Sequence, residues 1–368
     1  MPIDEKLLTP KVLGNTLSKE NIKHILWDLD EDCGLEMGDI KEGKVRTVVP
    51  IGEEQLLMII SDHISAFNYV LNSQVYAKGA NLNQQSGFFF DLTQDIVPNH
   101  ILEVIHPNAW RVREAEPIRV EVVLRQYLTG SGWKDYKAAD GPAKGATLYG
   151  QFFRPGYREN EKLDKLVITP TTKGPGYLFK IPEFAHLSEK ELAEDDLHID
   201  RGIIMWNYQA FHLKAPEDWE RIEEIAKTMF GRISEHLRRS GLIFVDSKWE
   251  FGYDPAGSLM LIDESATCDS SRFWEASVYG FVAQQEKQEE HFMAVELSKE
   301  VVRKHLKQAG WDSWSEEQRK TYKLPDDVVK QTIQVYSDIT KRATGKDTII
   351  TTESVNNSLW KAIVANLV

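Results

Sequence analysis

The sequence predicts a two-lobed protein. A strand-rich first half is followed by a mixed α/β second half and then by helices, an order that suits two lobes with a ligand in the cleft. Three observations lead there. From Gly43 the pattern turns strand-like, with Lys44 to Ile51 and Gln55 to Ile60 as candidate strands around a Glu53-Glu54 turn. A clear helix opens at Pro216 and carries an apolar stripe of Ile222, Ile225, Met229, Ile233 and Leu237. Two apolar runs, Leu242 to Val245 and Leu259 to Ile262, flank Asp254-Pro255-Ala256-Gly257, a strong turn signal, and so predict a hairpin.

The remaining elements follow in order. Residues 1–40 read as an N-terminal extension with a helix from Lys19 to Leu29. The strand-rich lobe covers 41–122 and includes a helix over 81–95, with Leu82, Phe89 and Leu92 on related turns. Ile118 to Leu124 is a strand. The mixed lobe covers 123–284, and its stretch from Asp140 to Gly176, rich in Gly, Pro and Lys, predicts loops and short strands. The helix from Pro216 has acidic Glu217 and Asp218 in its first turn, Arg238 and Arg239 in its last, and Gly241 beyond its end. Residues 285–368 form a helical C-terminal addition, with amphipathic helices over 285–308 and 326–343 and a connector around 312–323.

Composition excludes several functions. The 368 residues carry 44 Lys plus Arg against 57 Asp plus Glu, a net charge of −13. That balance argues against non-specific nucleic-acid binding and against a polybasic membrane surface. Two cysteines, Cys33 and Cys268, are too few for a disulfide scaffold or a cysteine zinc site, and they suit a reducing cytoplasm. No stretch reaches 18 uninterrupted apolar residues, and Met1-Pro2-Ile3-Asp4-Glu5-Lys6 has no signal-peptide character, so neither a membrane span nor secretion is expected. GxxxxGKS/T, HExxH and GxSxG motifs are all absent.

The hairpin carries the sharpest chemistry. Folded about Ala256 and Gly257, it sets Glu250 opposite Asp263, and strand alternation puts Asp246, Lys248 and Glu250 on one face. Facing carboxylates repel unless a cation lies between them, and hard oxygen ligands suit Mg²⁺. Lys248 could reach a phosphate or carboxylate beside that metal. An ordinary solvated hairpin face explains the same charges about as well. Gly43-Lys44-Val45-Arg46 could aim a lysine at phosphates, although a solvated basic pair explains it too. Arg125, followed by Thr129-Gly130-Ser131-Gly132, could cradle a phosphate, or simply be a strand followed by a tight turn. Thr169-Pro170-Thr171-Thr172-Lys173 and Asp269-Ser270-Ser271-Arg272 have the same two explanations, an anion site or a polar turn and cap.

Taken together these stretches resemble the SAICAR synthetase (phosphoribosylaminoimidazole-succinocarboxamide synthase) family. The matching residues begin with Gly43-Lys44-Val45-Arg46, Ser61-Asp62-His63-Ile64-Ser65-Ala66-Phe67, Lys78-Gly79-Ala80-Asn81-Leu82-Asn83-Gln84 and Pro98-Asn99-His100. They continue with Val120 to Lys134, Thr169 to Lys173, Asp246 to Gly252, Leu261 to Glu264, and Asp269 to Trp274. They keep the family's order across 43–274, and the ordered set is far more specific than any one motif.

The resemblance implies an α+β fold of two lobes, related to ATP-grasp and kinase-like folds, with ATP in the cleft. It implies a ligase whose substrates are ATP, L-aspartate and carboxyaminoimidazole ribotide (CAIR), acting in purine biosynthesis with Mg²⁺. By position, Lys44, Arg46, Glu121 and Lys173 match ATP contacts, and Glu250 and Asp263 match metal ligands. Arg125, Ser131 and Arg272 match ribotide contacts, and Lys248 and Asp246 match groups beside the reacting carboxylate. Relatives are often homo-oligomers, so a dimer is the expectation by analogy. The chain departs from the pattern at His63 (usually Arg), Asn68 (usually Asp) and Gln126 (usually Gly). A His-Asp-Glu-Asn-Ile-Ser segment usually follows the Thr-Lys loop and is not recognisable after Lys173. That departure leaves the aspartate site unassigned, and it leaves open a ligase or phosphotransferase on the same scaffold with a different amine or carboxylate.

Overall fold

The computed structural model describes residues 15–174, 177–192, 196–279, 292, 294–351 and 353–368. Helix α1 (Lys19–Cys33) begins at Ser18, whose hydroxyl accepts from the Asn21 backbone N–H, and ends at Gly34 in the left-handed region. Strands β1 (Lys41–Glu42), β2 (Arg46–Pro50) and β3 (Gln55–Ile60) follow. A small ribbon of β4 (His63–Ala66) and β5 (Tyr69–Gln74) leads into α2 (Lys78–Thr93). Strands β6 (Ile101–His106) and β7 (Ala109–Arg113) complete a five-stranded sheet of order β1-β2-β3-β7-β6. Both faces of this sheet are covered, which explains the run Leu56 to Ile60. Leu57 and Ile59 pack under α1, whereas Met58 and Ile60 face α2 and the main core.

The second sheet starts at β8 (Glu116–Tyr127), which leads into α3 (Gly130–Ala138). A short β9 (Ala146–Leu148) and β10 (Gln151–Phe153) pair precedes β11 (Lys162–Ile168) and β12 (Thr171–Thr172). Helices α4 (Arg201–Trp206) and α5 (Pro216–Arg239) come next, then β13 (Leu242–Tyr253), β14 (Leu259–Ile262) and β15 (Ser271–Glu275). The sheet order is β11-β8-β13-β14, with β12 also on β8 and β15 also on β13. Every strand pair in both sheets is antiparallel. The apolar stripe of α5 is buried against β13, where Trp249 and Phe251 point into the core. Lys248 and Glu250, one residue out of phase, point the other way into a cavity. Pro98 and His100 exchange backbone hydrogen bonds with Leu261 and tie the two sheets together.

Helix α6 (Glu300–Gln308) packs on α7 (Asp326–Thr344), which lies along α2. The buried Gln85 amide donates to Thr340 Oγ1 at 2.8 Å across that contact. Helix α8 (Val355–Leu367) returns to α1 and β6. No helix among the described residues is long and apolar enough to cross a membrane.

Three expectations are corrected. Glu250 pairs with Ile262 rather than with Asp263. The turn takes one residue fewer than a fold about Ala256 and Gly257 assumes, and Asp263 lies past the strand end with φ +64. Lys44 sits at the tip between β1 and β2, where the Gly43 N–H bonds back to the Arg46 carbonyl, and not on a strand. The helix expected over 285–308 is found as Glu300–Gln308. Its beginning falls partly outside the described residues, and Glu296 instead bridges Trp274 as an extended residue.

Candidate active site

A cavity of about 1050 Å³ lies between the two sheets. Every site residue singled out from the sequence lines it: Lys44, Arg46, Glu121, Arg125, Ser131, Lys173, Asp246, Lys248, Glu250, Asp263 and Arg272. Strand register explains most of this convergence. On β8 and β13, Asp246 sits beside Arg125, Lys248 beside Val123 and Glu250 beside Glu121, so residues two apart on each strand share the cavity face. Strand β12 adds Thr171 beside Glu121, and β15 adds Arg272 beside Asp246.

At one end stand two guanidinium groups. Arg125 Nε donates to Thr169 Oγ1 at 2.9 Å and a terminal nitrogen donates to Ser131 Oγ at 3.0 Å, while the other lies 3.4 Å from Asp246. Arg272 also pairs with Asp246 through the same carboxylate oxygen. A buried and a half-buried cation thus share one carboxylate. Burial draws Arg125 below the usual arginine value, while Asp246 outweighs burial at Arg272 and holds it above. The glycines of the Gly130-Ser131-Gly132 turn make room for these groups. Gly130 has φ +59, and a Cβ there would meet a guanidinium nitrogen of Arg272 at 2.4 Å. This end is built for an anion held by paired N–H donors.

Lysines and carboxylates dominate the middle. Lys248 Nζ is 2.5 Å from Glu121 and 3.9 Å from Glu250, and Lys173 also pairs with Glu250. Arg46 bridges Asp263 at 3.3 Å and Glu264 at 2.8 Å. Burial lowers Lys248, but Glu121 outweighs it and the ammonium is held above its ordinary pKa. At Lys173 burial prevails over the pull of Asp263, and the pKa falls. Burial raises Asp263, yet Arg46 and Lys173 outweigh it and keep the carboxyl ionised below its usual range. Lys44 donates to Asn68 Oδ1 at 2.8 Å on the rim. Apolar Val45, Val48, Met58 and Ile262 line the cavity as well, a surface fit for a flat ring.

Among the residues of this wall that sequence reasoning missed are Lys299, Arg303, Asp196 and His198. Lys299 and Arg303 reach it from the start of α6, with Lys299 3.7 Å from Asp269 and 3.3 Å from Ser65 Oγ. Their four-residue spacing puts both on one helix face, but basic residues on an amphipathic helix also suit solvent, so nothing local marked them. Asp196 and His198 come from the long stretch after Lys173. That stretch returns to the sheet, where His198 pairs with Thr171 and the Thr172 N–H bonds to the Leu197 carbonyl. Burial and the Glu121 carboxylate push Asp196 up to about 6.

The fold and cavity define a two-sheet α+β protein with a large interlobe site rich in cations paired with carboxylates. A family model described as SAICAR synthetase matches residues 39–177 and 181–321, a range that includes α6. A phosphoribosylaminoimidazole-succinocarboxamide synthase of Lachnospira eligens is 33% identical over 319 residues, covering 83% of this chain and 95% of that protein. One of Shewanella amazonensis is 38% identical over 247 residues, covering 63% of this chain; the match spans 62% of that relative's length. Among solved structures, the Saccharomyces cerevisiae SAICAR synthase complexed with SAICAR superposes with a TM-score of 0.65 at 24% identity, covering 85% of this chain and 96% of that one. The chain belongs to the SAICAR synthetase family.

Proposed function

We propose that the protein is an ATP-dependent ligase that condenses CAIR with L-aspartate to give SAICAR, ADP and phosphate, a step of purine biosynthesis. The observation that carries this reading is one cavity lined by two sets of cations. Arg125 and Arg272 stand at one end, and Lys44, Lys173, Lys248 and Arg46 stand around the carboxylates. A ribotide phosphate fits the first group, with Ser131 as a further donor. The phosphates of ATP fit Lys44, Arg46 and Lys173, with the base against the apolar lining and Glu121 as a nucleotide contact.

A carboxylate resists amines because its charge repels them and oxide is a poor leaving group. Phosphorylation by ATP to an acyl phosphate removes both obstacles. In this reading Lys248, held by Glu121, lies beside the CAIR carboxylate and fixes its position, while Asp246 nearby holds Arg125 and Arg272 in place. The surrounding cations stabilise charge on the phosphoryl group. Glu250 and Asp263 fit Mg²⁺, since this ion takes one or two carboxylates together with substrate phosphates and water. When bound it would neutralise phosphate charge. The test is ADP release with ATP, Mg²⁺ and CAIR, with and without L-aspartate, alongside mass detection of product. Aspartate-dependent ADP with matching SAICAR is expected. ADP without that product, or only with another amine, overturns the aspartate assignment.

A further inference from the structure

We infer that His198 is the base that receives a proton from the attacking amine; this rests on the ligase reading above. His198 lines the cavity from the extended segment beside β12, in a row that runs across adjacent backbones from Glu250 to Glu121, Thr171 and His198. Neighbouring backbones lie about 4.8 Å apart in such a row, which sets His198 roughly two strand spacings from Glu121. Its Nε2 lies 3.2 Å from Asp135 Oδ2 on α3, and its ring stands 4.8 Å from that of Tyr149, whose hydroxyl also bonds Asp135. With Nε2–H turned to the carboxylate, the neutral ring leaves Nδ1 as an acceptor. A cavity-facing imidazole oriented by a carboxylate is the arrangement a general base requires.

The electrostatics agree. The charged groups that act on His198 are Asp135 and Arg125. Burial and Arg125 depress its pKa, and Asp135 opposes them. The ring is therefore neutral at pH 7 and able to accept, and Asp135 stabilises the imidazolium once formed.

The step balances. The ammonium of aspartate gives one proton to Nδ1, and the freed lone pair forms the C–N bond to the acyl-phosphate carbonyl carbon. The C–O bond to phosphate breaks, and phosphate leaves with that electron pair and takes the second N–H proton. His198 then returns its proton to solvent.

The test compares wild type with His198→Asn and His198→Gln using two nucleophiles, aspartate and hydroxylamine, an amine already neutral at pH 7. General-base assistance is typically worth about 100-fold or more. We expect kcat with aspartate to fall about 100-fold in both variants and to recover partly as pH rises, while hydroxylamine-dependent ADP release stays within about twofold of wild type. Undiminished aspartate turnover in the variants, or an equal fall with both nucleophiles, overturns the assignment. Wild type that turns over hydroxylamine but not aspartate overturns the ligase reading itself, and the role of His198 with it.

Discussion

Asp246 is the sole carboxylate paired with both Arg125 and Arg272 among the described residues, so its removal has a calculable cost. It is 5% exposed, and the two guanidinium groups are themselves largely buried. Breaking a buried pair from one side typically costs about 3–5 kcal/mol, because the partner charge stays behind. Here two cations stay behind. Arg125 keeps its hydrogen bonds to Thr169 and Ser131, which lessens its share of the loss. Asp246→Ala should therefore lose about 3–5 kcal/mol. Asp246→Asn, which retains an acceptor of the same shape, should lose about 2 kcal/mol. Equilibrium urea unfolding followed by tryptophan fluorescence measures both. Without the Asp246 charge the two guanidinium groups are left short of a counter-ion and can take an outside anion. Inorganic phosphate at 100 times its dissociation constant for Asp246→Asn should stabilise that variant by about 2.7 kcal/mol, and wild type by less. A loss below about 1 kcal/mol in the alanine variant, against that expected range, or equal stabilisation of variant and wild type by phosphate, would refute the shared-counter-ion reasoning.

Gly130→Ala forces a Cβ onto the Arg272 guanidinium at a residue with φ +59; we expect a loss of about 1–2 kcal/mol and a raised KM for the ribotide with little change in KM for ATP, read from steady-state kinetics. Glu250→Gln can still accept from Lys173 but loses its charge, so the Mg²⁺ concentration for half-maximal rate should rise about tenfold, and an unchanged Mg²⁺ titration would remove Glu250 from the metal site. Burial draws Lys299 down to about 8, chiefly against the pull of Asp269. Its folded pKa is below its unfolded one, so the cost of burying the charged form is full below pH 8 and is relieved as pH rises from 8 toward 10.5, where the unfolded chain binds more protons. Loss of the Lys299 proton also removes a positive charge from the cavity wall, so KM for an anionic substrate should rise above about pH 8, and Lys299→Arg should remove that rise.

How much of this was legible depends on whether a residue's role is set by its own neighbours along the chain. Helix α5 was readable nearly to the residue because Pro216, its acidic first turn, its stripe and Gly241 are all local signals. Strand β3 was readable for the same reason, as six apolar or amide residues after a turn. The cavity face of β13 followed from alternation alone, since Trp249 and Phe251 must turn inward if Lys248 and Glu250 turn out. The pairing of Glu250 was misjudged by one position because register depends on turn geometry, and Asp263 reaches the cavity from a left-handed residue past the strand rather than from the ladder. Asp196 and His198 were illegible for a different reason. Their place is fixed by hydrogen bonds to Thr171 and Thr172, some 25 residues back in the chain and across a stretch with no regular pattern. Lys299 and Arg303 were hidden by the opposite problem. An amphipathic pattern correctly predicted a helix there, but a basic residue on its polar face looks the same whether that face meets water or a cavity holding Arg272 and Asp269. Local pattern therefore assigns the element, and only the tertiary neighbour decides whether a charge on it is solvated or functional.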